Sequence, residues 1–415
     1  MERSLSSQGL LPALRLAALV LGITAASRPA PARELLSRSA ELPSARALRA
    51  EGTAESRDAF RLDYSGYFQE QVISAGEFGG RSWTLGQTRS RLVLHATFHK
   101  KFSAEFSQTL AAEYGSALMN PVYALSAQAP PPTYFRWDHS FYPGKDPSLD
   151  WSVYRAYGKY ENAKVSLILG RQRIALGTAL FYSPMDLFNP VSPLALEPEE
   201  RVGVDAAFFE ARLAQFTYLD LAYGVGDLID ESRFAVQAKT TVHSYDLSLL
   251  GARIFEDWIA GGAFSGYLKA GGLYGEMTYT MPETGSKYLR ATLGYQYSFA
   301  NSVNLVAEYY HNDGVLAPAA VGLVSSFLAG QAGLATLHRN FLGLSSGIDY
   351  TALVRLSGAV LFDLDYGSFF LGPALTYSAP YSITLTLGAQ LFSGRPKSEF
   401  GFLPDFYYAR LRWNF

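Results

Sequence analysis

The stretch Leu289-Arg290-Ala291-Thr292-Leu293-Gly294-Tyr295-Gln296-Tyr297-Ser298-Phe299 puts Leu, Ala, Leu, Tyr, Tyr and Phe on one parity and Arg, Thr, Gly, Gln and Ser on the other. Unbroken period two over this length describes a β-strand with one apolar and one polar face. The alternation returns in Ile383 to Leu391, where Ile383, Leu385, Leu387, Ala389 and Leu391 oppose Thr384, Thr386, Gly388 and Gln390. It is read again in Ile348 to Leu356, with Tyr350, Ala352 and Val354 opposite Asp349, Thr351, Leu353 and Arg355.

Followed outward from these segments, the pattern places strands near 62–73, 88–99, 102–112, 151–160, 163–171, 203–213, 216–224, 233–242, 245–254, 258–266, 268–279, 288–299, 302–311, 346–356, 359–366, 369–379, 381–393 and 405–415. That makes 18 strands, with 16 as the alternative count. Tiny turns such as His99-Lys100-Lys101, Glu161-Asn162, Ala214-Gln215 and His243-Ser244 follow even-numbered strands. The long connections 113–150, 172–202, 312–345 and 394–404 all follow odd-numbered ones, so they share one side. Strands of nine to eleven residues suit a tilted barrel across a bilayer better than a soluble sandwich. In hydrocarbon every backbone polar group must pair internally, so such a sheet closes on itself. The expected fold is all-β, a transmembrane antiparallel β-barrel over 62–415. Within 258–279, Lys269 and Glu276 fall on opposite parities, so either register of one continuous ribbon sends a charge outward.

Composition agrees. The chain has 415 residues, is 48% hydrophobic and 14% aromatic, and is only 17% charged; soluble domains run nearer 25%. A net charge of −2 gives no basic field for nucleic acid. The apolar residues are too scattered for a helical transporter. Zero cysteines exclude disulfides, zinc-thiolate and iron–sulfur sites and c-type haem attachment, and no metal or cofactor is expected. At the start, Arg3 and Arg15 precede the apolar run Leu16 to Ile23 and the small residues Ala25-Ala26-Ser27. This is the order of a secretory signal over 1–26, with Ala30-Pro31-Ala32 as a second cleavage point. Residues 33–60 read as a short charged periplasmic segment.

The chain closes with Phe406-Tyr407-Tyr408-Ala409-Arg410-Leu411-Arg412-Trp413-Asn414-Phe415, with Phe415, Trp413, Leu411, Ala409 and Tyr407 on one parity. This resembles the closing strand of Gram-negative outer-membrane proteins, and the resemblance implies that Phe415, Trp413 and Leu411 form a signal read by the barrel assembly machinery. The stretches Gly170 to Gly177 and Pro184 to Pro190 are similar to segments of porin-like and alginate-export-like barrels, which implies a single-chain passive conduit.

On the polar parity, Arg155, Lys159, Lys164, Arg212, Lys239, Arg290, Arg355, Arg410 and Arg412 are expected to line a pore with Asp63, Glu105, Glu210, Asp220, Asp246, Glu308 and Asp349. Their near balance predicts weak ion selectivity. A barrel this wide is not filled by its own side chains. The 172–202 connection, rich in proline, is the candidate constriction, carrying Arg171, Arg173, Asp186, Asn189, Glu199, Glu200 and Arg201. If it folds inward, its tail Glu197, Glu199, Glu200 and Arg201 should meet Arg171 or Arg173. Gly314 to Leu337 lacks Asp, Glu, Lys and Arg and reads as a helical external loop. Tyr134, Phe135, Trp137, Phe141 and Tyr142 form an aromatic loop cluster.

The function these features favour is an outer-membrane, porin-like channel for diffusion or export of small hydrophilic solutes or oligosaccharides. The competing readings are an adhesin or structural barrel, a sheath around a partner protein and, least favoured, a hydrolase; none of the six histidines has a nucleophile at a motif spacing. The expected partners are outer-membrane lipid, the assembly machinery and a small solute. A homo-trimer is compatible with the same outward alternation.

Overall fold

The computed structural model describes residues 60–78, 81–119, 133–142, 146–190, 192–226, 231–315 and 336–415. The expected export signal, segment 33–59, Pro130 to Pro132 and residues 316–335 of the uncharged stretch lie outside them.

Period-two segments become the strands β1 (Phe60–Phe78), β2 (Arg81–Phe98), β3 (Phe102–Tyr114), β4 (Asp138–Ser140), β5 (Ser148–Glu161), β6 (Val165–Gln172), β7 (Val204–Ala214), β8 (Thr217–Gly224), β9 (Arg233–Val242) and β10 (Tyr245–Ile254). They continue as β11 (Asp257–Leu268), β12 (Gly271–Met281), β13 (Tyr288–Ser298), β14 (Asn304–Asn312), β15 (Asn340–Asp349), β16 (Val354–Asp363), β17 (Ser368–Ala379), β18 (Ile383–Ser393) and β19 (Phe406–Asn414). The three-residue β4 belongs to the long β3–β5 connection and pairs with the outer part of β5, beyond the end of β6. The other 18 are antiparallel neighbours in chain order, and β1 pairs with both β2 and β19, so the sheet is a closed barrel.

Closure runs from Tyr67↔Asn414 to Ala75↔Phe406. Reciprocal 2.9 Å hydrogen bonds between Gly66 and Phe415 extend it to the last residue. The Phe415 ring lies over Gly66, where a Cβ would come within 2.6 Å of it. Only a residue without a side chain admits the ring at that point.

The long connections share one side as the sequence reading expected, but that side also carries the two-residue turn Phe255-Glu256 between β10 and β11. On the short side, His99 and Lys100, His243 and Ser244, and Tyr381 and Ser382 each put two successive residues at positive φ. That is the type I′ pattern whose twist matches flanking strands.

Several expected boundaries move: β1 runs to Phe78 and β2 starts at Arg81, where strands were expected only to 73 and from 88, and β15 starts at Asn340 instead of 346. Ile348 to Leu356 is not one strand, because the chain turns at 350–353 and Asp349 faces Arg355 across a hairpin. The outward parity on both sides of that turn is apolar, so the pattern ran through it. Likewise Lys269 and Ala270 form the turn between β11 and β12, so Lys269 never occupies a strand position. The parity conflict with Glu276 disappears, and Glu276 faces inward and is buried.

The outer face is the apolar one: Phe68, Leu110, Leu249, Met277, Leu293, Leu387 and Trp413 are all exposed. Inside, the wall is not uniformly polar. Ile174, Leu176, Met185 and Phe188 of the β6–β7 connection pack on Val204, Ala206, Ala222, Ala235, Leu250, Ala252 and Ile259 of β7 to β11. Tyr182 and Leu194 of the same connection join Tyr310, Phe341, Leu361 and Phe370 of the wall and Phe400 and Leu403 of the β18–β19 connection. Two connections therefore fold into the barrel and bury their apolar side chains there, at roughly 1.5–3 kcal/mol for each fully buried large side chain.

Candidate functional site

The β6–β7 connection, residues 173–203, makes a full circuit of the inner wall, held along its course by polar side chains of successive strands. Gln237 on β9 donates to the Leu176 carbonyl at 2.9 Å, and Arg233 donates to the Phe188 carbonyl at 2.9 Å. Glu276 on β12 accepts the amides of Thr178, Ala179 and Met185 and the Ser183 hydroxyl. Glu308 on β14 accepts the amides of Leu180, Phe181 and Tyr182 at 2.9–3.0 Å and the Tyr274 hydroxyl at 2.9 Å. Buried carboxylates need such donors, and N–H groups without strand partners need such acceptors, so each satisfies the other. Tyr182 stacks on Tyr310 at 4.4 Å between centroids.

Past Leu194, whose carbonyl accepts from Gln390 on β18 at 2.8 Å, the partners change sign. Arg410 on β19 donates to the Leu196 carbonyl at 3.0 Å. Glu197 meets Arg89 of β2 at 2.9 Å and Arg412 of β19 at 2.8 Å. Glu200 pairs with Arg91 of β2, lies 3.3 Å from Arg412 and accepts from the Tyr67 hydroxyl at 3.2 Å. Arg155 on β5 donates to the Arg201 carbonyl and returns the loop to β7. Tyr154 lies between two guanidiniums, with Arg91 3.4 Å and Arg155 4.0 Å from its ring centre; Tyr67 supports Arg412 at 4.3 Å. Such stacking orients cations without neutralising them.

Burial alone would raise the Glu197 carboxyl, but Arg89, Arg410 and Arg412 outweigh it and hold it below its usual range. Asp186, deeper in the loop, is pushed up to about 6 by burial, against the pull of Arg201 and Arg173. One of its oxygens pairs with Arg201. Asn189 ties the loop to itself, accepting from the Ile174 amide at 2.8 Å and donating to the Val202 carbonyl.

The inward fold of 172–202 thus brings its acidic tail onto wall cations as expected, but they are different cations. Arg171 is sealed at the end of β6 by Asp205 at 2.9 Å and by the carbonyls of Val153 and Phe135. Arg173 is exposed beside Asp186 and Arg201, and burial together with Arg201 lowers its pKa. Glu199 is exposed. Of the cations that do the holding, Arg155, Arg410 and Arg412 were expected in the lining, whereas Arg89 and Arg91 were not singled out by sequence. Their strand reads Gln87-Thr88-Arg89-Ser90-Arg91, polar on both parities, so no apolar face reveals which side they take.

Of the other expected lining residues, Glu308, Arg155, Arg410 and Arg412 belong to the loop circuit. Lys239 bridges Glu210 at 3.2 Å and Asp220 at 2.7 Å on neighbouring strands. Arg290 donates to Asn312 at 3.2 Å near the long-connection end. Glu105 accepts from Tyr157 at 2.8 Å. Lys159 pairs with Glu161, Arg61 with Asp63, Asp246 with the Thr241 hydroxyl, and Arg355 with Asp349 at 2.9 Å, all toward the short-turn end. Arg212 bonds the Gln215 carbonyl at 3.1 Å, and Lys164 sits in the turn before β6 instead of on a strand.

The histidine environments do not form a nucleophile relay. His338 Nδ1 lies 2.7 Å from Asp363, and the Ser368 hydroxyl bonds the same carboxylate instead of the imidazole. Glu399, from the β18–β19 connection, packs beside them and accepts the Leu337 amide at 2.7 Å; burial pushes its carboxyl up to about 8. Among the described residues no cluster has the composition of a metal site.

A closed antiparallel barrel of this size, apolar outside and carrying an infolded loop, has the porin fold. No protein-family model and no curated protein sequence matches the chain. Solved structures do. OccK8 (OprE) of Pseudomonas aeruginosa superposes with a TM-score of 0.55 at 8% identity, over 85% of this chain and 98% of that one. OccAB1 of Acinetobacter baumannii gives 0.55 at 7% identity, covering 85% and 96%. OccK2 (OpdF) of Pseudomonas aeruginosa in complex with glucuronate gives 0.50 at 8% identity, covering 85% and 97%. These are Gram-negative outer-membrane porins, and the likeness is one of fold.

Proposed function

We propose that the protein is an outer-membrane channel for passive diffusion of small hydrophilic solutes, with loop 173–203 as its constriction. The observation that carries this reading is the loop's circuit inside a closed barrel of 18 strands. The outward apolar parity meets lipid, and the polar parity with its loop meets water and solute. Phe415, Trp413 and Leu411 are read by the assembly machinery.

The basic sector deepens the reading. Arg89, Arg91, Arg155, Arg410 and Arg412 converge where the loop brings Glu197 and Glu200, so five cations face two anions. In a narrow, low-dielectric passage an excess of one sign concentrates the opposite charge. The channel therefore prefers anions, more strongly than the whole-lumen charge count suggests, and sugar acids are the substrate class to try first; OccK2, of the same fold, has been crystallised with glucuronate.

Planar-bilayer recording of the refolded protein tests this. Discrete conductance steps and a reversal potential of anion-selective sign under a salt gradient are expected. A correctly inserted but silent barrel would sink the channel reading in favour of an adhesin or a sheath. A cation-selective reversal potential would sink the anion preference alone.

A further inference from the structure

The outer face of β1, β2 and β3 differs from the rest of the barrel. From β6 round to β19, outward positions among the described residues carry no charged or amide side chain away from the strands' outer ends. On β1 to β3 the register puts Glu70 opposite Thr88, Phe68 opposite Ser90 and Leu92 opposite Gln108, and Phe68 is exposed on the outside. Glu70, Thr88, Ser90 and Gln108 therefore form one contiguous polar island on the outward parity. Gln108 lies midway along β3 (Phe102–Tyr114), where lipid would be driest.

The island is not self-sufficient. Glu70 accepts from the hydroxyls of Thr88 and Tyr114, which leaves lone pairs of a carboxylate open. Gln108 accepts from Trp151 Nε1 at 2.9 Å, and no described residue accepts its amide hydrogens. An outward carboxylate and an outward amide in hydrocarbon cost free energy unless something polar covers them. The island offers acceptors at one end and donors at the other, so it is complementary to itself, and the small side chains of Ala96, Ala104 and Ala112 around it allow close approach.

We propose that this face of β1–β3 is the contact surface for a second copy of this chain, with Glu70 of one protomer reached by Gln108 of the other. The inference rests on the membrane-spanning reading, because it is lipid that the second copy displaces.

The test uses the full chain in a Gram-negative outer membrane, with a photo-crosslinking benzoylphenylalanine in place of Ser90 or, as a control, of Leu293 on β13. The Ser90 variant should give an adduct of two copies and the Leu293 variant lipid adducts. Ser90 adducts with lipid alone, or with a different protein, overturn the proposal while the Leu293 result still reports on membrane insertion. A second variant, Glu70→Leu with Gln108→Leu, should shift the monomer–oligomer equilibrium in detergent about tenfold or more toward monomer, as expected for loss of hydrogen bonds to a charged group. Single-barrel conductance should stay unchanged. An unaltered equilibrium overturns the proposal.

Discussion

Glu276 and Glu308 spend their oxygens on backbone amides of the 178–185 segment, which makes them positioning residues for the infolded loop. In Glu276→Gln the new amide nitrogen must face a loop N–H, which costs about 1–3 kcal/mol for the unsatisfied donors. The expected outcome is a larger variance of open-channel current and a lower unfolding temperature, with the β-sheet spectrum intact; a quiet channel would show that the loop is held by its apolar contacts. Glu399 supplies a pH dependence. Its carboxyl titrates at about 8 in the folded protein, above the ordinary carboxylate value, so the folded state holds a proton that the unfolded chain has released. Stability should fall as pH rises from about 4.5 to about 8 and level off beyond. Glu399→Gln should remove that part of the slope in melting temperature against pH. Glu197 titrates with the opposite sign: its clamp on Arg89 and Arg412 is complete at neutral pH and is lost as pH falls through its depressed value. At residue scale the sequence is a partial guide. Arg410, Arg412 and Glu308 could be assigned because their strands have a clean apolar parity. Arg89 and Arg91 could not, because the outward partners of that strand, Thr88 and Ser90, are themselves polar and belong to the island on β1–β3.

The strands were legible because period two survives wherever one side meets an apolar phase. The errors have the same cause. At 350–353 the turn contains Tyr350-Thr351-Ala352-Leu353, with no glycine or proline, and the alternation reads straight through it. The inner connections show the opposite limit. The four prolines of 172–202 and its length announced something other than a simple turn, but the stations on β9, β12, β14, β18, β19, β2 and β5 are long-range contacts that no local pattern encodes. Deleting 180–198 removes the segments gripped by Glu276, Glu308, Gln390 and Glu197's arginines, and single-channel conductance should rise severalfold. Unchanged conductance would show that the narrowest point lies elsewhere, with the β18–β19 connection around Phe400 the next place to cut.

For the whole molecule, the composition that first looked indifferent is two surfaces interleaved residue by residue, one facing outward and one inward. The apolar patches inside the barrel qualify that picture, since part of the 48% hydrophobic content holds the two infolded connections and not the outer face. A closed sheet of this kind should migrate differently on a gel before and after boiling and give a β-dominated circular dichroism spectrum. A helical spectrum would contradict the fold outright.

The seam between β1 and β19 joins residues as far apart as Gln71 and Arg410, 339 positions along the chain. Every other pairing in the wall links consecutive barrel strands and is available as soon as the second strand exists. The seam alone must wait for β19, so until that strand is in place β1 presents a bare edge able to recruit the wrong strand. A sheet built this way cannot close halfway: the β1 edge has to stay unoccupied until the nine residues of β19 arrive.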